Sequence, residues 1–253
     1  MCLNNWGGID HKVLEFHEYV NLFSGKSGSG KSTVMDAIQV ILYGSFSPSF
    51  LNKAADDAKN RRSVLSYLRG EQKDGSANRK DCDFCSVIAL EIEDTGTHII
   101  TCIGIAFEVR KSDSEIKKFV YFSHSGKMPE SEYLTEQGVC YSNQEIKKLV
   151  SARTKSDDNR GKGEVNRIYG SKEAYLGTLY DVILGYIDQN RFITMEKSAI
   201  ALKMTNGTGQ FIRDYMFPKN TSNTIATISE QLDSYRQIKD KIEDLRKRIE
   251  ILT

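Results

Sequence analysis

The sequence predicts an α/β fold in which a glycine-rich loop joins a strand to a helix, an antiparallel side sheet follows, and a last helix is patterned for a coiled coil. Three observations lead to this expectation. Gly25 to Ser32, "GKSGSGKS", lies between an apolar segment and an amphipathic one. Three successive segments between Cys85 and His124 are rich in β-branched and aromatic residues. From Ile225 to Leu252, apolar residues recur three and four positions apart.

In chain order, "HKVLEFHEYVNLFSG" alternates and then turns apolar, which predicts two strands, the second at Tyr19 to Phe23 feeding the glycine loop. A helix follows, with Val34, Ile38, Ile41 and Leu42 at helical spacing and Gly44 as a left-handed stop. The stretch from Ser45 to Asp81 is polar with short helical pieces. Between Lys53 and Lys80 it carries eight Lys or Arg against four Asp or Glu, the one notable basic excess. "CSVIALEIED", "THIITCIGIAFEVRK" and "IKKFVYFSH" read as three antiparallel strands. Ser142 and Glu145 stand in capping-box register and start a helix; the polar run from Lys155 to Gly163 reads as a loop open to a partner contact or to solvent alone. Helical patterns resume from Ser171 to Tyr215.

The last element places Ile225, Ile228, Leu232, Tyr235, Ile238, Ile242, Leu245, Ile249 and Leu252 along one seam, with one stammer between Tyr235 and Ile238. A single amphipathic helix packed on the domain is the plainer reading. The charged "RQIKDKIEDLRKRIE" around the seam favours a partner strand instead, and the pattern is still running at Thr253. The expected division is therefore a head lobe over 1–217 and the start of a coiled-coil arm over 218–253.

Composition sets outer limits. A chain of 253 residues with 39% apolar content can bury a real core. Its formal charge of +1 gives no overall attraction to nucleic acid, so any such contact must be a local patch. The apolar runs fall short of the roughly 18 residues a membrane span needs, and the N-terminus lacks a signal-peptide layout. The five cysteines have no framework spacing, so a reducing, cytoplasmic setting is expected. Cys82 and Cys85 form a C-x-x-C, but His11, His17, His98 and His124 do not supply the second half of a zinc site.

The segment Gly25 to Ser32 matches G-x-x-x-x-G-K-[ST] between a predicted strand and a predicted helix, the context that gives this motif its meaning. Glycines allow the backbone to wrap a phosphate, and the N–H groups of the loop and helix start point at the anion. The expected nucleotide-binding residues are Gly25, Lys26, Ser27, Gly28, Ser29, Gly30, Lys31, Ser32 and Thr33. Lys31 would bridge the β- and γ-phosphates of ATP, and the Ser32 hydroxyl would ligate Mg²⁺.

Hydrolysis also needs an acidic residue at the end of a neighbouring apolar strand. Val87 to Asp94 alternates like a half-exposed antiparallel strand, and the segment ending at Asp188 continues a helical pattern, so neither fits that role. An L-S-G-G-like signature is missing too. The chain thus carries half of an ATPase site and the start of a coiled coil, and the other half would return along the coil or come from a second polypeptide.

These residues resemble a known family. "NWGGI" (Asn5 to Ile9), the glycine loop and the run into a coiled coil resemble the N-terminal head segment of SMC-type chromosome-organising ATPases, of the ABC type. "FIRDYMFPKN" (Phe211 to Asn220) looks like the segment that enters the coil in MukB-like proteins. "NKAADDAKNRRSVLSYLRGE" and "DFCSVIALEIEDTGTHI" look like JetC, the MukB-like subunit type of Wadjet anti-plasmid defence systems. The resemblance implies a C-terminal lobe carrying the signature and the missing acid. It also implies a homodimer of two such heads sandwiching ATP, bridging kleisin and KITE subunits, a Toprim-type nuclease subunit, and loop extrusion on double-stranded DNA by a nucleoid- or plasmid-associated complex. A glutamine contacting Mg²⁺ has no clear match, since Gln39 lies inside the loop's helix and Gln210 lacks the usual context. DNA backbone contact would fall on Lys53, Arg61 and Arg62, for which an ordinary solvated helix face is the plainer reading. Two alternatives stay open: an SMC-like ATPase of chromosome segregation or repair, and a stand-alone P-loop kinase or GTPase. A GTPase would need an N-K-x-D that is absent here.

Overall fold

The computed structural model describes residues 1–26, 28–47, 63–72, 75–156 and 165–200. Of the two units into which the chain divides, Met1–Ala201 and Leu202–Thr253, only the first contains described residues. Ser27, Lys53, Arg61, Arg62 and Gln210, the coil-entry segment and the seam from Ile225 to Leu252 all lie outside them, as does most of the loop after Lys155.

Six antiparallel strands form one sheet: β1 (Cys2–Trp6), β2 (Ile9–Val13), β3 (Phe84–Glu93), β4 (Ile100–Val109), β5 (Lys118–Ser125) and β6 (Arg167–Tyr169). Their order is β2-β1-β3-β4-β5-β6. The three strands expected between Cys85 and His124 are β3, β4 and β5. Their register pairs Ile88 with Ile105 and Leu90 with Ile103 on one face, and Val87 with Ala106 on the other. At Gly104, opposite Ala89, a Cβ would come within 2.4 Å of the Ile88 carbonyl oxygen, so the close approach of β3 and β4 requires glycine there.

Helices cover both faces. On the first, α1 (Lys31–Tyr43), α2 (Val64–Arg69) and α4 (Lys172–Gly177) pack over a core that includes Leu3, Trp6, Ile41, Leu68, Ile88, Ile105, Phe107 and Tyr175. On the second, α3 (Asn143–Ser156) lies against β4, β5 and β6, burying Ile146 and Val150 with Val87, Phe122 and Tyr133. This second layer corrects one expectation. From Ser86 to Ala89, β3 is buried on both faces, and only its far half shows the outward carboxylates Glu91 and Glu93.

The capping box forms as expected. The Ser142 N–H donates to the Glu145 carboxylate at 2.6 Å, and the Glu145 N–H donates to the Ser142 hydroxyl at 3.3 Å. Gly44 ends α1 with φ 53°.

Two other expectations fail. Residues 19–23 are not a strand, although Tyr19, Val20 and Leu22 are apolar, because no neighbouring backbone among the described residues pairs with them. Nor does the helical pattern run on to Asp188. After α4 the chain makes a π-helical turn (Thr178–Ile183), and two successive left-handed residues, Gly185 at φ 74° and Tyr186 at φ 61°, break it before α5 (Gln189–Ile200). Asp188 instead accepts from the Arg191 N–H at 2.9 Å, capping α5.

Candidate functional site

The glycine loop ends where α1 begins. Gly28 at φ 84° and Gly30 at φ 87° take left-handed backbone conformations, and a Cβ on either would meet nothing within 4 Å. The two residues therefore curve the chain around open space. Gly30 is the N-cap of α1, offers no side chain to the helix start, and no acidic residue lies in the first turn. The first-turn N–H groups and the positive end of the helix dipole thus face that space without a protein anion.

Lys31 is the charge at the centre. Its ammonium donates to the carbonyls of Gly25 at 2.7 Å and Lys26 at 2.9 Å and to the Ser29 hydroxyl at 3.2 Å. A cation thus sits inside a ring of loop oxygens, next to unsatisfied helix N–H donors. Ser32 is exposed on the first turn and Thr33 half-buried. The donor set of backbone N–H groups, one ammonium and an exposed hydroxyl fits a polyphosphate with its divalent cation.

Behind the loop, α1 is anchored at both ends. The Trp6 indole N–H donates to the Thr33 carbonyl at 2.8 Å, and the Tyr67 hydroxyl donates to the Asp36 carboxylate, buried to 4% exposure. At the far end, three tyrosine hydroxyls meet the terminal carbonyls: Tyr175 donates to Ile41 at 2.9 Å, Tyr180 to Leu42 at 3.0 Å and Tyr121 to Gly44 at 2.6 Å. Burial pushes Tyr121 and Tyr180 up to about 12 and Tyr175 well above its ordinary value, so all three stay protonated donors. Sequence reading missed these anchors, because a tyrosine's partner lies far along the chain. The signal available was Trp6 before a Gly-Gly turn and an aspartate on the buried side of a helix.

The remaining candidates separate from the loop. Gln39 is buried and its amide donates to Glu196 on α5 at 3.1 Å, an interhelical tie. Cys82 is an exposed free thiol, and Cys85 is a half-buried one that burial pushes up to about 11.

A glycine loop that opens a helix N-terminus, with a lysine at its centre and a mixed α/β body behind it, defines a P-loop nucleotide-binding domain. The chain matches the AAA domain family AAA_23 over residues 1–253 and belongs to it, an SMC-like family of P-loop ATPases. No curated protein matches the chain.

Proposed function

We propose that this chain is the nucleotide-binding N-terminal half of an SMC-like ATPase head of the MukB or JetC type. Lys31 and the loop N–H groups hold the phosphates of ATP, Ser32 holds Mg²⁺ with Gln210 as a candidate second contact, and the bound ion neutralises phosphate charge. The acid that polarises water comes from a C-terminal half of the same head. Two heads associate on ATP and separate on hydrolysis, and that cycle drives loop extrusion on double-stranded DNA in a condensin-like anti-plasmid complex. Kleisin and KITE subunits and a Toprim-type nuclease are the partners of that reading, and Lys53, Arg61 and Arg62 are its DNA-backbone contacts.

One observation carries it. Directly before the loop, Tyr19 is 86%, Val20 78% and Leu22 90% exposed. P-loops follow a strand, and strands in such sheets are covered and apolar. An exposed apolar segment at that position is suited to pairing with a strand from another part of the head, the strand expected to end in the catalytic acid.

The test is co-expression of the chain with the C-terminal lobe, followed by co-purification. Stable association that Leu22→Asp abolishes, with the chain still folded, supports the reading. A chain that binds ATP yet never associates with that lobe would contradict it. The alternative of a stand-alone P-loop enzyme gains if the chain alone turns over nucleotide at roughly 1–100 per second.

A further inference from the structure

Nothing in the phosphate-binding role requires a tryptophan, yet the only one in the chain sits behind the loop. Trp6 is fully buried at the end of β1, stacked on Tyr67 with ring centroids 5.1 Å apart and planes 7° from parallel. Its N–H reaches the Thr33 carbonyl, two residues beyond Lys31. In an α-helix that oxygen already accepts from the N–H four residues on, so the indole bond is not needed to satisfy it. What the bond does is fix where the first turn of α1 stands.

The surroundings make that fixation stiff. Gly7, at φ 59°, lies so close to α1 that a Cβ there would come within 2.5 Å of the Thr33 methyl group. The Gly7 N–H donates to the Tyr67 carbonyl at 2.8 Å, and the Arg79 guanidinium donates to both the Gly7 and Leu68 carbonyls. The β1–β2 turn and α2 are thus tied together without the indole. Trp6 through Thr33 and Tyr67 through Asp36, on adjacent turns of one helix face, link that unit to α1 by side-chain hydrogen bonds among the described residues.

We propose that Trp6 is a positioning residue for nucleotide binding. Its indole N–H holds the Lys31 to Thr33 turn at the height where the ammonium, the Ser32 hydroxyl and the helix N–H groups converge on phosphate, and phosphate binding at that turn alters the ring's environment in return. The inference rests on the nucleotide reading of the loop. Trp6 touches neither phosphate nor ion, and Tyr67, through Asp36, is the second half of the same clamp.

The experiment uses the whole chain, titrated with ATP and Mg²⁺ by calorimetry at a temperature well below its melting midpoint, with the Trp6 emission recorded in parallel. Saturation should shift the wild-type emission, whereas adenosine at the same concentration should not. Trp6→Phe, folded by circular dichroism, should weaken ATP binding about fivefold, the worth of one net hydrogen bond. Tyr67→Phe, which keeps the stack but loses the hydroxyl, should weaken it in the same direction. A purely structural tryptophan would lower the melting midpoint and leave both affinity and emission response unchanged. If Trp6→Phe does not fold, the wild-type emission and the Tyr67→Phe affinity decide. Wild-type ATP binding with silent emission and unchanged variant affinities overturns the positioning role alone; no ATP binding by the wild-type chain overturns the nucleotide reading, and this inference with it.

Discussion

Replacing Lys31 with alanine separates the loop's phosphate chemistry from its contribution to the fold. In the structure the ammonium is spread over three loop acceptors at 2.7 to 3.2 Å. The loop residues around it are exposed, so water replaces those bonds when the side chain is removed. The fold should lose about 0.5 kcal/mol or less, the ordinary range for a surface substitution. Against a phosphate the same ammonium makes charge-assisted hydrogen bonds worth about 1.5–3 kcal/mol. Lys31→Ala should therefore weaken ATP binding by about 10- to 150-fold while leaving the melting midpoint nearly unmoved. Lys31→Arg should not restore binding, because a planar guanidinium cannot occupy the compact ammonium position between Gly25 and Ser29. Calorimetric titration with ATP and Mg²⁺, paired with a thermal melt without nucleotide, measures both quantities. Affinity within about twofold of wild type would refute the phosphate-bridging role. If the proposed head function holds, the same variant should also lose ATP-driven head engagement and plasmid restriction.

Three further outcomes follow from the packing. Tyr175→Phe leaves the Ile41 carbonyl at the buried end of α1 without its donor and should cost about 1–3 kcal/mol by chemical denaturation; Tyr180→Phe should do the same through Leu42. Ser142→Ala removes the capping box of α3 and should cost about 1 kcal/mol, with hydrogen exchange rising first in that helix. His124 is buried as a neutral ring, its Nδ1–H donating to the Ser125 carbonyl at 3.0 Å and its Nε2 accepting from Tyr133 at 2.9 Å, and burial holds its pKa below the ordinary 6.5. The unfolded chain therefore binds the extra proton as pH drops below 6.5, and stability falls by up to about 1.4 kcal/mol per pH unit until the folded ring titrates. His124→Gln should flatten that part of the stability profile relative to wild type, measured by denaturant titration between pH 7.5 and pH 5.5.

Local chemistry was legible in the sequence; long-range partnership was not. The loop, the Gly44 stop and the Ser142 and Glu145 cap could be read because every partner lies within a few residues. The strands β3, β4 and β5 announced themselves by β-branched and aromatic runs. β1 did not, because "CLNNW" carries two asparagines. Asn4 is nevertheless fully buried, since its amide donates to the Glu132 carbonyl at 2.8 Å, a partner that no local pattern reveals. The short β6 strand exists only through its pairing with β5. The segment Tyr19 to Phe23 erred in the opposite sense: its composition suits a strand, but composition cannot supply the neighbouring backbone that makes one. The same limit applies to the tyrosines that close the far end of α1.

The proposed function requires that the phosphate site of this chain works only when joined to a second half of the head. It is tested most directly by measuring ATP turnover by the chain alone and again after adding the C-terminal lobe. The chain alone should bind ATP with negligible turnover, and hydrolysis should begin on mixing, in a manner lost with Lys31→Ala. Turnover by the isolated chain at roughly 1–100 per second, unchanged by the added lobe, would contradict it.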